Sequence, residues 1–432
     1  MSGRHTKLMS PVAHLVLLVL LQATFHYLLV GKPATDPYAF NFQFGKFASA
    51  LVVVLFLASL IQQKQTTTAA FLHLALASLV TPSFVLWADG NFNYWYALTT
   101  AVCFITLAGF SYLPWRIPSS LPRVNAELIM WGLSVLAVAC IAAYLSRFGL
   151  KHFTFNPQEG YEIRAEMGNK LGIFGYVNSI LTKTIIPFAI AIALGKRRWT
   201  LAIILTIFAI CAAGATGHKS MAVYPFMVAG TWALMTAYSK KPFFPVAIAA
   251  VLVICAVDMF LARTFIGSVL VRRGLMTPAL INGWFIDFFN TNPTYNWAAS
   301  KITLGLLKNP YDLNPPFLIA KHYTGRVFSA NTGWIGAGYA QFGLVGGLVY
   351  SAFIGAIIGL LNEAGKKVGH SIVVAGSIPA IYVALTTADL LTAILSHGLG
   401  LTILIVLLMR PQIQSESFQS GEEVVVRGNA LN

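Results

Sequence analysis

The chain has 432 residues, of which 57% are hydrophobic and only 10% are charged, and its formal net charge is +15. A soluble domain usually carries about 25% charged residues, so this composition excludes a protein that is mainly water-soluble. The mean hydropathy of +0.71 requires most of the chain to lie in lipid or against other apolar helices.

Apolar runs recur along the chain at lengths that suit a membrane-spanning helix. A bilayer core needs roughly 20 apolar residues per helix, so the length allows about twelve spans with little left for a soluble domain. We therefore predict an all-α polytopic membrane protein, with a single transmembrane domain over 1–411 and a flexible tail over 412–432. The predicted spans are 12–30, 45–62, 68–88, 94–113, 126–146, 172–195, 199–215, 220–238, 243–261, 333–361, 372–391 and 396–409.

Basic residues divide the short connections between these spans into two sets. One set holds only Lys32, Lys46 and Lys219, whereas the other set is rich in lysine and arginine. Short cytoplasmic loops carry the excess of basic residues, so the rich set and both termini are predicted to be cytoplasmic. The rich set contains Arg4, Lys7, Lys64, Arg116, Arg123, Lys196, Arg197, Arg198, Lys240, Lys241, Lys366, Lys367 and Arg410.

Two connections are long, and both are predicted to lie on the non-cytoplasmic side. The first, 147–171, balances its charges, but the second, 262–332, has seven basic residues against Asp287 and Asp312. A net excess of cations beside a membrane favours an anionic ligand; the alternative is a solvated basic loop that meets lipid headgroups. The second connection is also rich in aromatic residues, which predicts helical segments at the membrane interface rather than a structureless loop.

Each long connection begins an Arg-x10-Gly spacing, Arg164 with Gly175 and Arg272 with Gly283. Eleven positions on an α-helix return to nearly the same face, roughly 16 Å further along the axis. The planar guanidinium of arginine suits phosphate, and glycine allows a lipid or a sugar to approach the helix closely. Arg263 and Gly274 share the spacing, so its weight comes from its location in the two long connections.

These features resemble the O-antigen polymerases, which are Wzy-type polymerases of oligosaccharide repeat units. The resemblance covers about 140–410 and rests on Arg-x10-Gly in two long loops within about twelve spans. It is supported by Gly217-His218-Lys219-Ser220 and by Arg272-Arg273 followed by Asp287-Phe288-Phe289. Asn331-Thr332-Gly333-Trp334, running into 343–347, is similar to the region where these polymerases and the related O-antigen ligases re-enter the membrane.

The resemblance implies a metal-independent glycosyltransferase of the bacterial inner membrane that needs no cofactor. The donor would be a glycan on undecaprenyl diphosphate, and the acceptor would be one repeat unit on the same lipid. Attack by a sugar hydroxyl on the anomeric carbon would release undecaprenyl diphosphate and invert the anomeric configuration. A chain-length regulator is a candidate protein partner, and no nucleic acid is expected.

The resemblance also assigns roles to individual residues. Arg164 and Arg272 would bind the diphosphate, with Arg273 and Lys219 as supporting cations, because negative charge grows on the departing oxygen. Gly175 and Gly283 would line the substrate groove. No acidic cluster and no His/Cys spacing in the sequence indicates a metal site.

The general base is harder to assign. The related ligases have a histidine just before the residue that matches Asn331, and this chain has Ala330 there. His322, in the same loop, is the nearest substitute, although a solvent-exposed loop histidine is an equal interpretation. Asp287 and Glu166 are lesser candidates for the base.

Three other polar residues lie in or beside predicted spans. Lys183, inside the sixth span, either lines the same basin as Arg164 or is paired. Asp389 is expected to reach the membrane interface, and His397 is expected to have a structural role. The rival functions are an O-antigen ligase, a transporter or flippase of lipid-linked oligosaccharides, and a membrane scaffold without activity.

Overall fold

The computed structural model describes most of the chain, including nearly all of the predicted spans. The residues described are 2–29, 38–62, 64, 66–149, 153–154, 172–217, 219–237, 243–260, 268–300 and 303–410. In these ranges helices form all of the regular structure, apart from an isolated bridge between Val124 and Met409. The predicted all-α fold is therefore confirmed.

The described residues contain fifteen α-helices in chain order, if each of the two continuous spans that contain a π-helical turn is counted as one helix. They are α1 Ser2–Leu29, α2 Phe44–Ser59, α3 Thr67–Ala88, α4 Tyr94–Ser111, α5 Ala126–Phe148, α6 Ile173–Gly195, α7 Trp199–Thr216, α8 Lys219–Ala237, α9 Phe243–Phe260, α10 Thr277–Thr291, α11 Pro315–Thr324, α12 Trp334–Val368, α13 His370–Thr386, α14 Leu390–Leu395 and α15 Leu399–Leu408.

Among the described residues, six helices are long and apolar enough to cross a membrane, namely α3 to α7 and α12. Five shorter apolar helices accompany them, at Ser10–His26, Phe44–Ser59, Phe244–Val257, His370–Thr386 and Leu399–Leu408. The outer helix α5 exposes Leu128, Trp131 and Val135, and a surface of this kind suits contact with lipid tails rather than water.

Side chains just before the helices explain several of their starting points. The hydroxyl of Thr66 accepts a hydrogen bond from the Ala69 N–H at the start of α3. Asn93 and Asn125 cap α4 and α5 in the same way, each with its side-chain oxygen. Such caps satisfy backbone donors that have no partner within the helix.

Two ends of the helix bundle can be recognised from the contacts between connections. At one end the Arg198 guanidinium lies 3.2 Å from Glu127, and the Thr67 hydroxyl lies 2.8 Å from His370 Nδ1. We call this the basic end, because Arg116, Arg123 and Lys366 belong to connections on the same side. At the other end the Gln22 amide donates to both carboxylate oxygens of Asp89, at 3.0 and 2.8 Å.

The helix α12 is broken near its start and reverses direction there. Phe342 and Gly343 leave the helical conformation, with φ values of −144° and 58°. Residues 334–341 then pack back against 343–368, so closely that a Cβ atom on Gly338 would lie 2.4 Å from the Gly346 carbonyl oxygen. The predicted span 333–361 is therefore wrong as a single straight helix, because its first part is a separate antiparallel segment.

In the described part of the chain, three π-helical turns lie within or beside the regular helices. They lie at Leu76–Val80 in α3, at Leu181–Ile185 in α6, and at Ser268–Met276 immediately before α10. Each π turn adds a residue to the local repeat, and such turns are frequent at functional sites.

The described part of the long basic stretch contains α10 and α11, with aromatic side chains packed between them. The rings of Trp284 and Tyr323 stack 5.1 Å apart at an angle of 4°. Past α10, the Tyr295 N–H donates to the Ala340 carbonyl and the Asn296 N–H donates to the Gln341 carbonyl, both at 2.9 Å. The stretch is thereby fastened to the tip of the 334–341 segment.

Candidate functional site

Some of the residues singled out from the sequence lie outside the described part of the chain. Arg164 and Glu166 are among them, as is the predicted tail. Lys219 is the first residue of α8, but its side chain is not described. Gly175 lies in the first turn of α6, where its N–H donates to the Gly172 carbonyl at 3.3 Å.

Arg272 and Arg273 lie in the π-helical turn that precedes α10. Arg272 is half-buried and Arg273 is exposed. The turn is held against α13 by the Tyr382 hydroxyl, which donates to the Gly274 carbonyl at 2.8 Å. Gly283 lies in the middle of α10, and a Cβ atom there would meet the Phe92 ring at 2.2 Å. The space beside Gly283 is thus filled by an aromatic ring of the same chain.

A cavity of 460 Å³ lies at the end of the bundle opposite the basic end. Four separate parts of the chain form its walls: the start of α6, the stretch from α10 to α11, the 331–341 segment and the α13–α14–α15 turns. The lining residues are Tyr176, Phe285, Ala299, Ser300, Asn314, Pro315, Pro316, Phe317, Asn331, Thr332, Ala337, Ala340, Gln341, Thr387, Ala388, Asp389, Leu391, Thr392, Leu395, Ser396 and His397.

His322 and Asp287 are exposed on the stretch from α10 to α11, which is rich in aromatic residues, and neither residue lines the cavity. The His322 ring is exposed on α11, with its centroid 4.9 Å from that of Phe288. The Tyr323 hydroxyl donates to Asp287 at 2.7 Å, and burial, together with the charge of Asp287, raises the pKa of Tyr323.

Asp389 is an acidic group on the wall of this cavity. Its Oδ1 caps α14 by accepting from the Leu391 N–H at 3.0 Å, and its Oδ2 accepts from the Tyr350 hydroxyl at 3.0 Å. Burial raises the pKa of Asp389, although both hydrogen bonds favour the ionised form. The indole of Trp297 donates to the Tyr350 hydroxyl at 3.0 Å and so fixes the group that holds the carboxylate.

His397 is a second titratable group on the cavity wall. Its Nδ1 lies 3.1 Å from the Ser179 hydroxyl, and that hydroxyl accepts from the Lys183 ammonium at 2.5 Å. Burial lowers the pKa of His397 to about 4, and the positive charge of Lys183 acts in the same direction. The imidazole is therefore neutral at pH 7.

The contact between His397 and Ser179 depends on a glycine. Gly398 has a φ of +87°, and its carbonyl accepts from the Thr184 hydroxyl at 2.9 Å. A Cβ atom at Gly398 would lie 2.2 Å from that hydroxyl. Only glycine combines this backbone conformation with this close approach.

The 331–341 segment supplies a third polar wall. Thr332 is only 4% exposed, and no group in the described part of the chain forms a hydrogen bond with its hydroxyl. Gln341 holds the tip by accepting from the Trp297 N–H at 2.8 Å.

Of the cavity residues, the sequence patterns single out Asn331 and Thr332 as part of a motif, but they do not mark Asp389 or His397 as site residues. They assign Asp389 to the membrane interface and His397 to structure, because each of these polar residues, taken alone, lies at the end of an apolar run. The sequence does contain one indication of this site. Lys183 is a cation inside a predicted span, and such a cation requires a polar neighbour. In the described ranges, no group of three or more His, Cys, Asp or Glu side chains is placed to hold a metal ion.

Comparison with known proteins reveals no relative of this chain. No protein-family model, no curated protein and no solved structure matches it. The function of the chain is therefore inferred from the chemistry of the cavity and from the resemblance carried by the sequence motifs.

Proposed function

We propose that this protein polymerises oligosaccharide repeat units linked to undecaprenyl diphosphate, at the outer face of the bacterial inner membrane. In this proposal the chain crosses the membrane about twelve times and both termini are cytoplasmic. The long aromatic stretch then lies on the periplasmic side together with the cavity.

One observation carries the proposal: a fixed carboxylate, Asp389, lines a cavity beside the aromatic stretch. A pocket with a few convergent polar groups and a buried acid is the first place to look for chemistry. The volume of 460 Å³ suits one or two sugar rings, and the wall formed by Phe285 and Phe317 suits their apolar faces. Asp389 replaces His322 as our candidate for the base.

The reaction needs a base and a site for the leaving group. The acceptor hydroxyl oxygen bonds to the anomeric carbon of the donor while the bond from that carbon to the diphosphate oxygen breaks. The electron pair of the broken bond leaves with undecaprenyl diphosphate. The hydroxyl proton passes to the carboxylate of Asp389, whose two hydrogen bonds hold it in place.

The test uses the full chain in lipid nanodiscs with defined lipid-diphosphate repeat units, followed by sizing of the products. The variant Asp389→Asn keeps an oxygen to cap α14 but loses the base, so we expect polymer formation to fall by about 10²-fold or more. Asp287→Asn is the matched control, because Asp287 is exposed and does not line the cavity. Wild-type polymer lengths in Asp389→Asn would refute the role of this carboxylate.

Arg164 and Arg272 are the cations that the sequence predicts for the diphosphate, although Arg272 does not line this cavity. Arg164→Ala and Arg272→Ala should each abolish the ladder of polymer lengths on a lipopolysaccharide gel while the protein stays inserted. Full-length ladders in both variants would remove these two residues from the proposed site. An O-antigen ligase would form no polymer in the same assay and would instead transfer glycan to a lipid A core acceptor.

A carrier of lipid-linked oligosaccharides is the second candidate, and a buried histidine pair favours it. His14 Nε2 lies 3.0 Å from His73 Nδ1 inside the bundle, and both side chains are buried. Ionisable groups inside membrane segments are common along proton and substrate pathways. In proteoliposomes, a carrier would lose translocation in His14→Gln, whereas a polymerase would keep its product lengths.

A further inference from the structure

A chain of three side chains ends at one wall of the cavity. The Lys183 ammonium can only donate, so it donates to the Ser179 oxygen. The Ser179 hydroxyl can then donate to His397 Nδ1, 3.1 Å away, and a neutral imidazole that accepts at Nδ1 carries its own proton on Nε2. The Ser396 hydroxyl oxygen also lies 3.3 Å from Nδ1, and its proton is donated to the Thr392 carbonyl.

The wall formed by the α13–α14–α15 turns therefore carries groups of opposite hydrogen-bonding character at its two ends. After α14, His397 offers an N–H donor, with the positive charge of Lys183 behind it. Before α14, Asp389 offers a carboxylate that can only accept. The two residues approach the cavity from successive turns, because Asp389 starts α14 and His397 follows its end.

We infer that His397 binds the diphosphate of the lipid-linked donor, with Ser179 and Lys183 as the residues that position it, while the acceptor hydroxyl lies toward Asp389. This inference rests on the proposed function, since it assigns the donor and acceptor ends of the same cavity. It places the leaving group at the turn between α14 and α15.

Several features of that turn suit an anion. Thr392 lines the same cavity, and its hydroxyl is a donor that suits phosphate oxygens, whereas the Ser396 hydroxyl donates to the Thr392 carbonyl at 2.9 Å. The Lys183 side chain is half-buried, so water screens its charge less than on a surface. A neutral donor backed by a fixed cation stabilises the charge that develops on a leaving diphosphate.

The π-helical turn of α6 makes this arrangement possible. Lys183 lies within Leu181–Ile185, and Ser179 lies just before it. On the facing turn, Gly398 accepts from Thr184 of the same π turn. The two turns are therefore locked together at the point where Ser179 reaches His397.

The test measures binding without turnover. Farnesyl diphosphate serves as the probe for an isoprenyl diphosphate, and farnesol serves as its uncharged counterpart; both are titrated into the full chain in nanodiscs. We expect Lys183→Met and Ser179→Ala to raise the Kd for farnesyl diphosphate at least tenfold and to leave the Kd for farnesol unchanged. Lys183→Arg should restore binding to within a few-fold of wild type.

A pH series separates positioning from a merely structural role. The titratable groups that line the cavity are Tyr176, Asp389 and His397, and Lys183 lies behind His397. Without the charge of Lys183, the pKa of His397 rises, so the imidazole of Lys183→Met becomes protonated more readily. The ratio of the Kd of Lys183→Met for farnesyl diphosphate to the wild-type Kd should therefore be smaller at pH 5.5 than at pH 7.5. The same ratio for Asp389→Asn should not decrease.

The matched controls are Lys366→Met and Ser146→Ala, in which a lysine and a serine are removed away from the cavity. Unchanged affinity in Lys183→Met, or equal losses for both probes, would overturn the inference. Such a result would leave the proposed function standing if polymer formation still falls in Asp389→Asn. If Lys183→Met loses diphosphate binding but the wild type forms no polymer, the diphosphate site is supported and the polymerase function is rejected.

Discussion

The indole nitrogen of Trp334 donates a 2.8 Å hydrogen bond to the hydroxyl of Ser351, which lies 17 residues further along the chain. In an unbroken α-helix these residues would be roughly 25 Å apart. The bond can therefore form only because the chain reverses direction at Phe342 and Gly343. It also anchors the 331–341 segment, which carries Thr332 and Gln341 on the cavity wall.

Gly343 should be indispensable for this reversal. Its φ of 58° with a ψ of −143° is a conformation that residues with a Cβ atom rarely adopt. Because no atom would meet an added Cβ there, strain alone should destabilise Gly343→Ala, by about 1–3 kcal/mol. The melting temperature in detergent measures this loss. Gly132→Ala in α5 is the control, because an added Cβ there also meets nothing and the helix tolerates alanine.

Gly283 should act in packing rather than in substrate binding. Gly283→Ala would press a methyl group into the Phe92 ring, and we expect a loss of about 1–3 kcal/mol in stability. The loss should largely disappear when Phe92 is also changed to alanine, since the two residues share one space. Thermal unfolding of the wild type, the two single variants and the double variant gives the coupling free energy between the two residues. A fall in activity at unchanged melting temperature would instead support the substrate groove that the sequence predicts.

Tyr350 should set the pH dependence of the proposed reaction. Its hydroxyl donates to Asp389 and favours the ionised carboxylate, so Tyr350→Phe should raise the pKa of Asp389 further. The base must be ionised to act, so the acidic limb of the rate profile should move to higher pH. We expect the ratio of rates at pH 8.5 and pH 6 to increase roughly threefold to tenfold. Tyr311→Phe, which loses only a bond to the Pro293 carbonyl, should leave the profile unchanged.

Asp89 should make stability depend on pH. Burial raises the pKa of Asp89 to about 6, although Gln22 donates to both of its oxygens. In the unfolded chain the carboxyl ionises near pH 4, so stability should fall as pH rises from about 4 to 6. Asp89→Asn should remove most of this slope and be more stable by on the order of 1–2 kcal/mol at pH 7. If the melting temperatures of the wild type and of Asp89→Asn change with pH in the same way across this range, the expectation is wrong.

Local rules account for much of the fold. Runs of apolar residues predicted helices where α3 to α7 are found, and Asn93 and Asn125 lie where caps are expected. Hydropathy could not detect the reversal at Gly343, because the apolar run continues on both sides of it. A change of direction leaves the composition of a run unaltered.

The candidate site was harder to predict for a different reason. The Arg-x10-Gly spacing gives Arg272 and Gly283 a shared face only on a regular helix, but Arg272 lies in a π-helical turn. Residues in a π turn follow a wider repeat than residues in an α-helix, so a spacing of eleven does not by itself place these two residues on one face. The pairing of Ser179 with His397 joins residues 218 positions apart, and no local pattern encodes it.

The cavity walls extend from Tyr176 in α6 to His397 before α15. A chain emerging from the ribosome would therefore insert most of its helices before the last wall exists. Under the proposed function, donor lipid diffusing past a nascent copy would find neither the carboxylate of Asp389 nor the donor of His397. Catalytic competence would then arise late in biogenesis, and partly inserted copies would be unable to release or misjoin lipid-linked sugars.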